Sequence, residues 1–363
     1  MSLGSAMPDS AVVTTDTARR AGWLQVVNRA GAQVAREHGL ALAIVGLHTG
    51  IFLLGVATGV VPESPTPLNS AAHLRLLLST AVVFVPAIVA LEFIRSPTWS
   101  GRWSGLRSRY LNLGSLVGLV VGAVFIAHSA IAHDLWKNLL GVVTPYTWDT
   151  RLAALDTWMH GGLPSRFLDR SLGLTAALDT AYWLWYPILM LSGAWVLWTH
   201  KRELRSRLFV AWALLWSLFG TVLAHVLASG GPAFYGGLVP GADPYAGLMS
   251  TLGHSHAQEP LTALRIQAEV WSNATSGARR AWLGMSAMPS LHVGTPALLA
   301  LALGQRARWA GALMWAFAVV ILIGSVGLGW HYAVDGYVGI AGALVCWQLA
   351  GWALRKRLPS HRS

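Results

Sequence analysis

The chain has 363 residues, of which 54% are hydrophobic and only 11% are charged. About a quarter of the residues of a soluble protein are charged, so this composition excludes an ordinary soluble protein and indicates a polytopic membrane protein. The net charge of +11 does not indicate nucleic-acid binding. The arginines lie in short clusters between apolar segments, and no basic helix alternates with aromatic residues.

The first 39 residues are polar, contain arginines and lack the apolar core and cleavage site of a signal peptide. We predict a disordered tail to about residue 20 and a short helix on the membrane surface from about 23 to 38. Eight apolar segments follow, each close to the ~20 residues that a membrane span needs. They cover residues 40–61, 74–94, 112–132, 176–198, 208–228, 289–304, 309–328 and 333–354. The predicted fold is all-α, a polytopic membrane helix bundle with about eight transmembrane helices.

The basic residues predict the orientation of this bundle. Every second connection, counted from the amino-terminal tail, contains a group of arginines or lysines. The positive-inside rule therefore places both termini in the cytoplasm, for a multi-pass protein of the cell membrane. Two long connections, about 133–175 and 229–288, fall on the extracytoplasmic side. We divide the chain into a cytoplasmic tail with an interfacial helix (1–39), accessory transmembrane helices (40–132) and a catalytic transmembrane domain (133–363).

Two histidines lie where apolar segments begin. His331 precedes Asp335 by four residues, so on a helix the carboxylate can reach one ring nitrogen and leave the other free. This arrangement suits an oriented nucleophile or base, although the same pair could simply cap a helix. His292 follows Pro289 and Ser290 at a helix start of the kind that attracts phosphate. The sixth and seventh segments form a tight hairpin, which predicts that both histidines reach the extracytoplasmic surface.

These two sites resemble known motifs. Pro289–His292 and the pattern His331-Tyr332-x-x-Asp335 are similar to the second and third motifs of the type 2 phosphatidic acid phosphatase superfamily. The stretch Ala287–His292 is closer to the branch that contains fungal inositol phosphorylceramide synthase. The resemblance implies a six-helix catalytic core, with His331 as nucleophile, Asp335 orienting it and His292 protonating the leaving group. It implies chemistry without a metal or another cofactor.

The chain departs from the family pattern at the phosphate-binding cations. The first motif of the family is a lysine, six further residues and then Arg-Pro; the nearest match, from Lys137 to Thr144-Pro145, is interpreted as a coincidence. Gly324 and Ser325 stand where the third motif has Ser-Arg. A phosphate would then be held by a serine, by helix amides and by an arginine of the second long connection. The predicted substrate-binding residues are Ser290, Tyr235, Arg279 and Arg280, and Arg265 is a further arginine of that connection.

These observations predict a membrane phosphotransferase. It would move a phosphorylated headgroup, for example inositol phosphate, from a phospholipid to an alcohol through a phosphohistidine. An alternative is a phosphatase that acts on a lipid phosphate or a polyprenyl (pyro)phosphate with water as the acceptor. A proton-coupled transporter, with the histidines as relays, also stays open, as does a metal site formed by His292, His331 and Asp335. The expected partners are the lipid substrate, the alcohol or water acceptor and membrane lipids, and no nucleic acid.

Overall fold

The structure, a computed structural model, describes residues 10–61, 98–109, 113–167, 171–197, 202–277, 280 and 282–355, with a few positions between 86 and 94. In these ranges the protein is helical and contains no β-strand, so the predicted all-α class is confirmed. The helices are α1 (Ser10–Ala57), α2 (Trp99–Arg109), α3 (Leu113–Lys137), α4 (Asp149–His160), α5 (Leu172–Trp183), α6 (Trp185–Leu197), α7 (Arg202–Val226), α8 (Tyr235–Leu238), α9 (Ala246–Gln258), α10 (Thr262–Ser276), α11 (Leu291–Gly304), α12 (Arg308–Gly327) and α13 (Ala333–Arg355). Leu215–Leu223 within α7 is a π-helix, and Pro164–Phe167 and Pro232–Phe234 form short 3₁₀ helices.

Four of the described helices are long and apolar enough to cross a membrane. They are the second half of α1 (Val34–Ala57), α7, α12 and α13, with 20 to 25 residues each. A helix of about 20 apolar residues matches the hydrocarbon core of a bilayer. The helices therefore identify a membrane protein, by length and composition.

Not all of the eight predicted spans appear as single long helices. The segment 74–94 lies almost wholly outside the described residues, and the third segment forms α3, which is not among the four. The predicted span 176–198 is divided at Leu184 into α5 and α6. Pro187 explains the division, because it has no N–H to donate to the preceding turn. The sixth segment forms α11, which has only 14 residues. The described residues thus support four spans, and the count of eight is not confirmed.

The amino-terminal helix also differs from its prediction. α1 runs without a break from Ser10 to Ala57, through the expected disordered tail and surface helix. It contains no proline, so its backbone hydrogen bonds can continue throughout. The buried carboxylate of Glu37 pairs with Arg202, at 3.4 Å, and with Arg205. These ion pairs fasten α1 to the start of α7.

The last three helices form the centre of the fold, with α11 packed against both α12 and α13. Gly294 on α11 lies against Gly339 on α13, where a Cβ on Gly294 would be 2.8 Å from the Gly339 carbonyl oxygen. Small residues at a helix crossing allow the two backbones to approach closely. The approach brings Ser290, just before α11, to Asp335 on α13, whose carbonyl oxygen accepts the Ser290 N–H at 3.0 Å. The packing of these helices therefore places the two predicted motifs side by side.

Candidate active site

The turn between α12 and α13 fixes the backbone of His331. The N–H groups of Trp330 and His331 both donate to the carbonyl oxygen of Ser325, at 2.9 and 3.1 Å. Gly329 has a φ of 76°, in the left-handed region that glycine adopts without strain. The His331 side chain is buried, with 5% of the residue exposed. The reversal after α12 thus carries the histidine into the protein instead of to the surface.

The contacts of the His331 ring define its tautomer. Nδ1 lies 2.8 Å from the carbonyl oxygen of Ala287 and 3.3 Å from Oδ2 of Asp335. A carbonyl oxygen only accepts hydrogen bonds, so Nδ1 carries the proton and donates it. In the neutral ring Nε2 is then the nitrogen with the free lone pair. The predicted link between His331 and Asp335 is present, and a backbone carbonyl that the sequence did not indicate makes the shorter contact.

Asp335 is completely buried in the first turn of α13. Its Oδ2 also accepts the N–H of Tyr332 at 2.9 Å. Its Oδ1 is buried and has no hydrogen-bond partner in the part of the chain that the structure describes. The carboxylate therefore accepts hydrogen bonds from both the ring of His331 and the backbone immediately after it.

His292 lies beside His331, with 5.9 Å between the ring centroids. Its ring stacks on Tyr182, at 4.9 Å, and contacts Trp185, at 4.7 Å. The indole N–H of Trp185 donates to the carbonyl oxygen of His292 at 2.8 Å. Aromatic side chains of α5 and α6 thus hold the second histidine next to the first. Ser290 is fully buried close by, and its Oγ has no partner among the described residues.

Two buried aspartates of α4 anchor the same turn. Asp156 accepts the N–H groups of Ala333 and Val334, at 2.8 and 2.9 Å, so it caps the start of α13. Asp149 accepts the hydroxyl of Tyr332 at 2.8 Å, and also the N–H groups at 230 and 231 at 2.9–3.1 Å. Burial raises the pKa of both carboxyl groups. The two aspartates therefore hold the residues that directly follow His331.

Tyr235 and Arg280 have no described contact with the paired histidines. Tyr235 is buried against Tyr245, at 5.6 Å, and Tyr245 in turn packs on Tyr332. The side chain of Arg280 is exposed, and Arg279 lies outside the described residues. Arg265, the further arginine of this connection, is also exposed and pairs with Glu269 at 3.1 Å.

The chain was compared with models of known protein families. A family model described as PAP2 superfamily matches residues 150–349, which is more than half of the chain. The chain belongs to the PAP2 superfamily. This membership makes the protein an enzyme of the phosphatase or phosphotransferase class. No match was found among curated proteins, and none among solved structures.

The PAP2 enzyme has a further cation near its paired histidines, although the sequence pattern around this residue was interpreted as a coincidence. Lys137, the last residue of α3, is half-buried and interacts electrostatically with His292. Burial lowers the pKa of Lys137, and the nearby Asp134 partly compensates. In the sequence, this role was indicated by the spacing of Lys137 from Thr144-Pro145, which fits the first family motif except that threonine replaces arginine. The lysine lies outside the range that the PAP2 family model matches.

A metal centre in the PAP2 enzyme would require several converging ligands. Among the described residues, no group of three histidine, cysteine, aspartate or glutamate side chains is arranged to hold a metal ion. The Nδ1 atom of His331 is already occupied by Ala287 and Asp335. One ring nitrogen of His331 is therefore not free to bind a metal.

Proposed function

We propose that this PAP2 enzyme is a membrane phosphotransferase that moves a phosphorylated headgroup from a phospholipid to an alcohol acceptor. The observation that carries the proposal is the pair of contacts to Nδ1 of His331, which leaves Nε2 as the nucleophilic nitrogen. His292 next to it supplies the acid and base. An imidazole can act in either role, because one ring nitrogen can both donate and accept a proton.

In the first step, Nε2 of His331 attacks phosphorus, and the bond from phosphorus to the lipid oxygen breaks. His292 gives a proton to that oxygen, and a phosphohistidine forms on His331. In the second step, His292 takes the proton of the acceptor hydroxyl, whose oxygen attacks phosphorus and releases His331. Asp335 stabilises the positive charge that the His331 ring acquires during attack. Acid–base catalysis of this kind contributes about 10²- to 10⁴-fold, so the binding of the phosphate charge must supply much of the remaining acceleration.

We propose that Lys137 and the start of α11 bind the phosphate. The N–H group of Ser290 is already bonded to Asp335, which leaves its hydroxyl and the N–H groups of the first turn of α11 for the ligand. Unpaired N–H groups at a helix start, with the helix dipole, favour an anion. Lys137 supplies one of the positive charges that the family pattern places around the phosphate. The exposed side chain of Arg280 makes a weaker candidate than the sequence suggested.

Two features favour transfer over hydrolysis. The resemblance to the inositol phosphorylceramide synthase branch points to transferase chemistry, with inositol phosphate as one example of the transferred group. His292 is also enclosed by Tyr182 and Trp185, and an apolar enclosure limits the access of competing water. A phosphatase acting on a lipid phosphate or polyprenyl (pyro)phosphate is the second candidate. A proton-coupled transporter is not favoured, because the family consists of phosphatases and phosphotransferases.

We also propose the finer arrangement in the membrane. The chain would cross eight times with both termini in the cytoplasm, and a six-helix catalytic core within 133–363 would follow the accessory helices of 40–132. The grouping of basic residues between apolar segments supports this topology. The paired histidines would then face the extracytoplasmic side. Labelling of cysteines introduced at 60 and 307, with a membrane-impermeant reagent on intact cells, should modify only the first; the opposite pattern refutes the orientation.

The function is tested by product analysis. Purified enzyme and a His331→Ala control are incubated with a mixed membrane lipid extract and several alcohols, and the lipids are measured by mass spectrometry. A headgroup-exchanged lipid that only the unmodified enzyme makes is the expected result, and it identifies donor and acceptor. Release of free phosphate without an exchanged lipid would refute transfer and establish the phosphatase alternative.

A further inference from the structure

The opposite end of the helix bundle contains a cavity of about 780 Å³. It lies between the start of α7, the turn from α11 to α12, and the end of α13. α13 begins beside His331 and has 23 residues, which corresponds to about 35 Å of helix. This length is close to the thickness of a bilayer. The cavity and the paired histidines therefore lie at opposite faces of the membrane.

Positive charge dominates the lining of this cavity. Arg202, Arg207 and Arg355 contribute guanidinium groups, and Glu203 is the one carboxylate among the described lining residues. Arg202 is partly neutralised by Glu37 of α1. For the other two arginines, no ion pair with a described carboxylate is present. The cavity thus holds two guanidinium groups without a matching anion in this part of the chain.

The protein holds Arg207 in position. Its Nε donates to the carbonyl oxygen of Trp347 at 3.0 Å, and its guanidinium lies 4.1 Å from the centre of the Trp347 ring. A Cβ on Gly351 would lie 2.8 Å from the guanidinium, so the glycine makes room for the arginine. The charges of Arg207 and Arg355 repel each other. Two like charges kept near one cavity favour an anion between them.

The surroundings indicate that this anion belongs to a lipid. Trp347 and Leu354 supply apolar walls, and Gln305 and Gln348 add amide groups that can bond to hydroxyls or ester oxygens. Trp352, on the last turns of α13, is 55% exposed, as is typical of a residue at the membrane–water boundary. Arginine recognises phosphate with parallel hydrogen bonds. We propose that this cavity binds the phosphate headgroup of an acidic phospholipid from the leaflet opposite the paired histidines.

The test measures binding, independently of turnover. Native mass spectrometry of the full-length protein in detergent gives the affinity for phosphatidylglycerol and for phosphatidylcholine. The variants are Arg207→Gln, Arg355→Gln and the control Arg308→Gln. Arg308 is exposed at the start of α12, at the same end of the bundle, but does not line the cavity. Arg355 is exposed at a helix end, so its replacement leaves the packing intact even if Arg207→Gln folds poorly.

We expect phosphatidylglycerol to bind more tightly than phosphatidylcholine. Arg207→Gln and Arg355→Gln should weaken this binding about 10- to 100-fold, as expected for lost hydrogen bonds between charged groups, and Arg308→Gln should have little effect. Equal affinities for both lipids, or equal losses in Arg355→Gln and Arg308→Gln, refute the site. Inorganic phosphate is the probe for a soluble ligand. The lipid assignment is wrong if inorganic phosphate alone raises the thermal unfolding temperature of the unmodified protein as much as the lipid does. The same result requires that phosphate does not raise the unfolding temperature of Arg355→Gln.

Discussion

Asp156 holds the first turn of α13 and therefore the position of the proposed nucleophile. Its two carboxylate oxygens accept the N–H groups of Ala333 and Val334, and the residue is only 1% exposed. His331 lies two residues before Ala333. We predict that Asp156→Asn lowers both the stability of the protein and its turnover number, because the turn that carries His331 loses one of its fixed points.

The size of the expected loss in stability follows from the two hydrogen bonds that Asp156 accepts. Asparagine has one carbonyl oxygen, so one of the N–H groups loses its acceptor and faces an NH₂ group. A lost hydrogen bond to a charged group costs about 1.5–3 kcal/mol, and removal of a negative charge at a helix start costs about 0.3–1 kcal/mol. Asparagine avoids the burial of a charge, which offsets part of this loss. We expect a decrease of about 2–3 kcal/mol in the free energy of unfolding. Misplacement of a catalytic group by about 1 Å can cost about 10²-fold, so kcat should fall by about 10- to 100-fold with little change in KM.

Asp179 provides a matched control for this prediction. It accepts the N–H groups of Thr262 and Ala263, at 2.8 and 2.9 Å, at the start of α10. The bonds are of the same kind, but α10 carries none of the proposed catalytic residues. Thermal unfolding and headgroup transfer are measured for both variants below their unfolding transitions. Asp179→Asn should lose similar stability and keep its kcat. If Asp156→Asn keeps full kcat, or if both variants lose kcat equally, the link between this cap and catalysis is wrong.

Three further predictions concern neighbouring contacts. Tyr332→Phe removes the hydroxyl that donates to Asp149 at 2.8 Å and should lower the free energy of unfolding by about 1–3 kcal/mol; an unchanged thermal transition would contradict the role of this bond. Lys137→Gln should lower kcat/KM at least about tenfold through the loss of a charged phosphate contact, whereas Arg265→Gln, which removes an exposed charge, should not, and equal activities of the two variants would exclude Lys137 from phosphate binding. Burial raises the pKa of Asp134 from 3.8 to about 6, so the folded protein binds this proton more tightly than the unfolded chain. The contribution of Asp134 therefore makes the free energy of unfolding fall by about 3 kcal/mol as the pH rises from its ordinary pKa to the raised one. Denaturant unfolding of Asp134→Asn should lack this part of the slope, and parallel pH profiles of the two proteins would contradict the assignment.

Local patterns allowed the two histidines to be predicted together. The hairpin of two apolar segments between His292 and His331 follows from hydropathy and the short polar turn, and the structure places the two rings 5.9 Å apart. The spacing of His331 and Asp335 predicted their contact, which is present, although His331 lies in the turn before α13 and not on the helix itself. Both inferences needed only local spacing, which a single sequence contains.

The contacts that complete the site could not be predicted in this way. Asp156 and Asp149 bond to groups that lie 177 to 183 residues away, and nothing in the local sequence pattern identifies such partners. The carbonyl of Ala287 bonds to a ring 44 residues further on. Every residue has a backbone carbonyl, so the residue type does not indicate which one makes this contact. The break between α5 and α6 did have a local signal, because Pro187 lies within the predicted span. Hydropathy alone gave that proline too little weight.

The anchors of the His331 turn also bear on the extent of the catalytic unit. Ala287 holds the ring, and Ser290 bonds to the backbone of Asp335. The carboxylates of α4 accept hydrogen bonds from the three residues that follow His331. The family match begins at residue 150, within α4. A helix that merely covered the bundle would not be expected to bond directly to the turn that carries the proposed nucleophile. We therefore infer that α4 is an integral part of the catalytic unit, and that changes in it act on the chemistry through the position of His331.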